Sequence, residues 1–166
     1  MKKSASARTI RIALALSTAL AIGACAKKPP AGNGLSASRA GQAVPGSPQD
    51  FAVNVGDRVF FETDSSNLTP TAQATLDKQA RWLNQYSRYS IALEGHADER
   101  GTREYNFALG ARRASVTKNY LVARGVAATR IKTTSLGKER PVAVCNDISC
   151  WSQNRRAVTI PVGAGS

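Results

Sequence analysis

From residue 57 to residue 162 the sequence switches repeatedly between a strand-like and a helix-like pattern, and this alternation constrains the fold more than any other feature. Residues 57–62 (DRVFFE) read as a strand, followed by a turn cluster at Asp64, Ser65, Ser66 and Asn67. Thr69-Pro70 is a helix start, with Thr as N-cap and Pro in the first helical position. Ala72, Leu76, Ala80 and Leu83 then fall at helical spacing. Residues 89–93 form a second strand closed by Gly95. Residues 103–124 form a second helix, with Tyr105, Leu109, Val116 and Tyr120 on its apolar side and Gly125 just past its end. A third strand at 131–136 stops at Gly137, a short helix is expected at 147–153, and residues 156–162 alternate as a last strand. The order βαβαβ(α)β predicts a two-layer α/β (α+β) sandwich, a mixed sheet with helices on one face.

The residues before this domain follow other rules. Lys2, Lys3, Arg8 and Arg11 precede an almost uninterrupted apolar run at 12–22. That run is shorter than the roughly 20 residues a membrane-spanning helix needs, and with its basic flank it fits a secretory signal over residues 1–24. Removing these four positive charges takes the formal net charge from +12 to +8, so the basic character belongs mostly to the mature chain. Three cysteines leave one unpaired, and Cys25 stands alone after Ile22-Gly23-Ala24. This tetrapeptide resembles the bacterial lipobox, in which small residues admit a signal peptidase and the cysteine sulfur carries lipid. A plainer reading is a small-residue cleavage site that happens to contain a cysteine. One acyl chain anchors weakly and two or more hold stably; lipobox proteins carry three, which implies permanent membrane residence. Ala26, where Asp would favour the inner membrane, points to the outer one. Residues 26–50, rich in Ala, Gly, Pro and Ser, cannot bury enough surface to offset ordering and are expected to be a flexible tether. Its contour reaches about 80 Å, with a coil span nearer 25–30 Å. The domain is then assigned to residues 51–166.

The stretch at 93–116, LEGHADERGTREYNFALGARRASV, carries the chemistry. It reads as strand, polar loop and helix. Gly95 and Gly101 permit tight turns, and Asp98 and Glu99 precede the helix where its dipole favours negative charge. Asn106, Leu109 and Arg113 lie at i, i+3 and i+7, so one face presents an amide, an aliphatic group and a guanidinium. Asp98 can lie near the top of that stripe. An acid and a base held apart across a small groove suit a zwitterion, its ammonium on Asp98 and its carboxylate on Arg113. Each residue also has a blander reading: Arg113 as a solvated helix charge, Asp98 as a helix-start residue. Arg112, about 100° around the helix from Arg113, is the better candidate for a plain surface charge.

The pattern E-G-H-A-D-E-R-G-T-x-E-Y-N-x-x-L-G-x-R-R-A resembles the signature of the OmpA-like peptidoglycan-binding domain. The likeness extends to Tyr120-Leu121, Gly125-Val126, the Gly137-Lys138-Glu139-Arg140-Pro141 segment and Asn154 through Val158. The resemblance implies a ligand, the diaminopimelate of the wall's stem peptide, whose side-chain end is a zwitterion. It carries an acidic contact onto Asp98, a guanidinium contact onto Arg113, helix contacts onto Asn106 and Leu109, and loop contacts onto Thr102 and Asp64. Many members have Phe before that last Asp; this chain has Thr63, so one apolar wall of the pocket is expected to differ. The family also implies an outer-membrane lipoprotein with its domain in the periplasm. A TolB-like periplasmic propeller protein is the implied partner, within the Tol system that keeps the outer membrane attached and constricting during division. A wall-anchoring lipoprotein outside that system is the alternative.

Cys145 and Cys150 enclose four residues, and in an oxidising periplasm a disulfide is expected. So small a loop stabilises by about 2 kcal/mol, and the spacing suits neither a CxxC redox pair nor a zinc set. Trp151 is assigned to packing. His96, the one histidine, has no ligand partners nearby and is taken as structural, with no metal or cofactor expected. Tyr105 is assigned to the core because it shares the apolar stripe. Neither a nucleophile with its base nor paired catalytic carboxylates are apparent, so no catalytic residue is expected and the chain is not read as an enzyme. A pI near 10.3 raises nucleic acid as a target, but a secreted chain does not meet it; the basic charge better suits an acidic wall.

Overall fold

The computed structural model describes residues 43–163. The signal segment, Cys25 and the tether up to residue 42 lie outside the described residues. Four strands form one sheet: β1 (Arg58–Phe60), β2 (Ser90–His96), β3 (Ile131–Gly137) and β4 (Arg156–Val162). Their order is β1-β4-β2-β3, with β4 antiparallel to both neighbours and β2 parallel to β3. A parallel pair needs a crossover, and the helix Arg103–Ala123 (α3 below) supplies it. The mixed sheet and the order of elements are those expected from the sequence.

The chain enters through a short helix, α1 (Pro48–Asp50), that runs into a π-helical turn, Phe51–Gly56. Ser47 caps α1, and Asp50 accepts hydrogen bonds from the Trp82 indole (2.9 Å) and the Gly46 amide (2.9 Å). The Gly46 carbonyl accepts from the Tyr89 hydroxyl at 2.8 Å. Residues 46–50 are therefore part of the domain, a correction to the tether boundary at residue 50. Their small and polar side chains hide the fact, because the docking is done by caps and by aromatic donors elsewhere in the chain. Phe51 seals the join, packed edge-on against Trp82.

Helix α2 (Pro70–Gln85) starts as its cap predicts, with Thr69 Oγ1 accepting from the Ala72 amide at 3.1 Å. It buries Ala72, Leu76, Ala80 and Leu83 against Val59, Ile91 and Leu93 of the sheet in one hydrophobic core. Helix α3 (Arg103–Ala123) is capped by Thr102. It ends in a Schellman motif: Gly125, at φ +92°, donates to Val122 O, and Val126 N donates to Leu121 O. A short helix, α4 (Ile148–Asn154), contains Cys150, which is joined to Cys145 just ahead of the helix with Cα atoms 5.6 Å apart.

The face α3 buries is not the one its apolar residues suggest. Asn106, Leu109, Gly110, Arg113, Ala114, Thr117 and Leu121 are buried, while Tyr105 is 43% exposed. Tyr105 is thus not core, contrary to the reading from spacing. The reason is Gly95 against Gly110. A Cβ on Gly110 would stand 2.7 Å from the Gly95 carbonyl oxygen and 2.5 Å from Ser135 Oγ. Helix and strand touch backbone to backbone here, so Gly95 serves close packing within β2 rather than a turn.

Candidate functional site

The Gly95–Gly110 contact places the end of β2 beneath the first turns of α3. A cleft of about 240 Å³ opens at this corner, lined by Thr63, Asp64, Asp98, Arg100, Gly101, Tyr105, Asn106, Leu109 and Arg113. Five of the six residues singled out from the sequence as ligand contacts meet here: Asp64, Asp98, Asn106, Leu109 and Arg113. Thr102 does not line the cleft. Its hydroxyl accepts from the Tyr105 amide at 3.2 Å and its carbonyl from the Asn106 amide at 3.1 Å, so it serves the start of α3.

Arg113 is fully buried. Its Nε donates to Ser65 O (2.8 Å), Nη1 to His96 O (2.8 Å) and Nη2 to Glu62 O (3.2 Å). The guanidinium stands 5.2 Å above the Phe61 ring centre. A guanidinium has five N–H donors; three go to these carbonyls, and two are not spent on the backbone. Burial pushes its pKa down to about 10, with the negative charge of Asp98 working against the fall, so it keeps its charge at neutral pH. Arg113 is a joint: it ties the loop after β1 to the end of β2.

Asp98 is 7% exposed. Oδ1 accepts from the Arg100 amide and from Arg100 Nε, both at 3.2 Å; Oδ2 accepts from Arg100 Nη2 at 2.7 Å and Arg155 Nη1 at 3.2 Å. Burial alone would raise its pKa, but the hydrogen bonds from Arg100 and Arg155 outweigh burial and hold it below the usual carboxylate range. Arg155 is itself buried and donates through Nε to Phe61 O at 3.0 Å, so β1, the end of α4 and the β2–α3 loop are locked around one carboxylate.

Asn106 donates to the Arg100 carbonyl at 2.7 Å and fixes the loop from below. Asp64 takes a left-handed conformation, φ 54°, a region Asp tolerates better than most residues. Its carboxylate accepts from the Tyr105 hydroxyl, and Arg112 lies 5.9 Å from the centre of that tyrosine ring. Arg100, Tyr105 and Arg155 were missed as site residues. The Asp98-Glu99-Arg100 sequence held a usable signal for Arg100, because a guanidinium two residues after an acid can fold back onto it. Arg155 had none, since its partner is 57 residues away.

His96 is 2% exposed, with Glu94 Oε2 3.5 Å from its Nε2. Burial first, then the charges of Arg156, Arg140 and Arg58, push its pKa down to about 4. Trp151 does more than pack: its indole donates to Glu99 Oε1 at 2.7 Å and its ring lies 4.2 Å from the Arg100 guanidinium.

A β1-β4-β2-β3 sheet with an acid and a guanidinium at the corner between β2 and α3 defines a mixed α/β domain of the OmpA type. The model of the OmpA family matches residues 60–155. The peptidoglycan-associated lipoprotein of Mesorhizobium japonicum is 62% identical over 157 residues, spanning 93% of this chain and 94% of that protein. The peptidoglycan-associated lipoprotein of Rhizobium meliloti is 62% identical over 160 residues, spanning 93% and 89%. The crystal structure of the peptidoglycan-associated lipoprotein from Burkholderia pseudomallei superimposes with a TM-score of 0.66 at 36% identity, covering 70% of this chain and 100% of that one. The C-terminal domain of Helicobacter pylori MotB, at 20% identity and a TM-score of 0.61, shares the fold. The chain belongs to the OmpA family, among its peptidoglycan-associated lipoproteins.

Proposed function

We propose that this chain is an outer-membrane lipoprotein, anchored through Cys25, whose periplasmic domain holds peptidoglycan non-covalently at the Asp98–Arg113 cleft. The observation that carries the reading is a buried guanidinium with two uncommitted donors in the same small cleft as a carboxylate. A diaminopimelate side-chain end offers a matching carboxylate and ammonium. Leu109 and the Tyr105 ring supply apolar contact for the methylenes between, and Asn106 keeps the loop in place. The names of the close relatives support the same target. The domain acts by binding and carries out no chemistry.

In this reading lipid at one end and wall at the other tie the outer membrane to the cell wall. The family likeness supports a place in the Tol-Pal system, with a TolB-like propeller as periplasmic partner and a role in outer-membrane constriction at division. Asp98→Asn tests the cleft: it removes the charge while keeping a group that can hydrogen-bond Arg155. Co-sedimentation with purified sacculi is expected to fall at least about tenfold, as for loss of a charge-assisted contact, with the circular dichroism spectrum unchanged. Undiminished sedimentation of a folded Asp98→Asn protein refutes the cleft as the wall site.

A further inference from the structure

Asp98 presents no free acceptor. A carboxylate has about four lone-pair sites, and four hydrogen bonds reach this one. Three come from Arg100, through its amide, Nε and Nη2, and one from Arg155. An incoming ammonium can bind only if a donor leaves. Arg155 is not free to go: its side chain is 6% exposed and its Nε is committed to the Phe61 carbonyl. The Arg100 side chain is 41% exposed and lines the cleft.

We propose that Arg100 is an internal stand-in for the ammonium of the ligand, and thereby sets both the affinity of the cleft and its selectivity for a ligand that carries one. The inference rests on the zwitterion reading above. In the free protein the Arg100 guanidinium occupies the cationic half of the site. Binding lifts it off Asp98 and frees two acceptor positions, one on each oxygen, while its amide stays bonded to Oδ1. The guanidinium has a place to stay, because it already lies 4.2 Å from the Trp151 ring centre. That ring is held by its own bond to Glu99 and follows directly on Cys150 of the disulfide. The cation–π contact keeps the displaced charge from returning wholly to bulk solvent. Only the Arg100 side of this pair reaches solvent, and its two side-chain bonds to Asp98 are the ones a better-placed cation of the ligand replaces. A ligand lacking the ammonium gains nothing from the exchange.

The test uses the full-length mature protein in detergent and two soluble muropeptides. One has a free diaminopimelate side-chain end; the other is acetylated on that amine. Dissociation constants are measured by calorimetry for the wild type, Arg100→Ala and Arg100→Gln. Both variants are expected to bind the free-amine ligand at least about two- to fivefold more tightly, the exposed-pair range being the lower limit for a pair with one buried partner. Neither is expected to bind the acetylated ligand more tightly, so the ratio of the two constants widens. Equal or weaker binding of the free-amine ligand by both variants overturns the proposal, since Arg100 would then be a support for Asp98 rather than its competitor. If the wild type binds neither muropeptide, the wall-binding reading fails and this inference falls with it.

Discussion

Replacing Arg113 with alanine is expected to destabilise the domain as well as remove half of the proposed ligand clamp. Three backbone carbonyls lose their donor at once. The His96 carbonyl is in a buried bond, and leaving such an acceptor unpaired costs about 1–3 kcal/mol. Those of Glu62 and Ser65 are partly buried and can turn to water, at about 0.5–1.5 kcal/mol each. Relief from burying a charge returns part of this, so the net loss is about 3 kcal/mol. For a domain of about 120 residues that is a fall in melting temperature of about 10–12 °C. Arg113→Lys keeps the charge and one or two of the bonds, and is expected to lose about half as much. Differential scanning calorimetry reads both, and sacculus binding is compared well below the lower melting point. A melting temperature for Arg113→Ala within about 2 °C of wild type would refute the claim that this arginine joins the β1 loop to β2.

Gly110→Ala forces α3 off β2, where a Cβ would meet the Gly95 carbonyl at 2.7 Å. Urea unfolding is expected to show a loss of about 2–3 kcal/mol, with wall binding reduced because Arg113 lies one turn further along. Unfolded His96 takes up a proton near pH 6.5, whereas in the fold it resists protonation down to about 4. Stability from this group is complete above the unfolded value and is lost as pH falls from about 6.5 towards 4, by up to about 3 kcal/mol. Urea midpoints should trace that fall, and His96→Asn should flatten it. Cys25→Ser should move the protein out of outer-membrane fractions; continued residence there argues against the lipid anchor.

The helices, the Thr69 cap and the order of strands and helices along the chain were legible because they rest on local chemistry. The stop at Gly125 is equally local. The buried stripe of α3 was not, because it consists of Asn106, Gly110, Arg113 and Thr117 as much as Leu109 and Leu121. Apolar periodicity points instead to Tyr105, which the Gly95–Gly110 contact turns outward to the cleft. Asp98 and Arg113 could be paired from spacing and family likeness. Their supports could not: the Arg113 acceptors at Glu62 and Ser65 lie 51 and 48 residues away, across the core. Thr102 sits within the signature and in the structure starts α3, its hydroxyl accepting from the Tyr105 amide, a part its place in the signature did not reveal.

A crystal structure of the domain bound to a muropeptide with a free diaminopimelate end tests the central claim most directly. The ammonium is expected within hydrogen-bond distance of the Asp98 carboxylate, and the carboxylate on the two donors that Arg113 does not spend on the backbone. Density for the peptide elsewhere on the domain, or in the cleft with its charged end turned to solvent, would contradict the account.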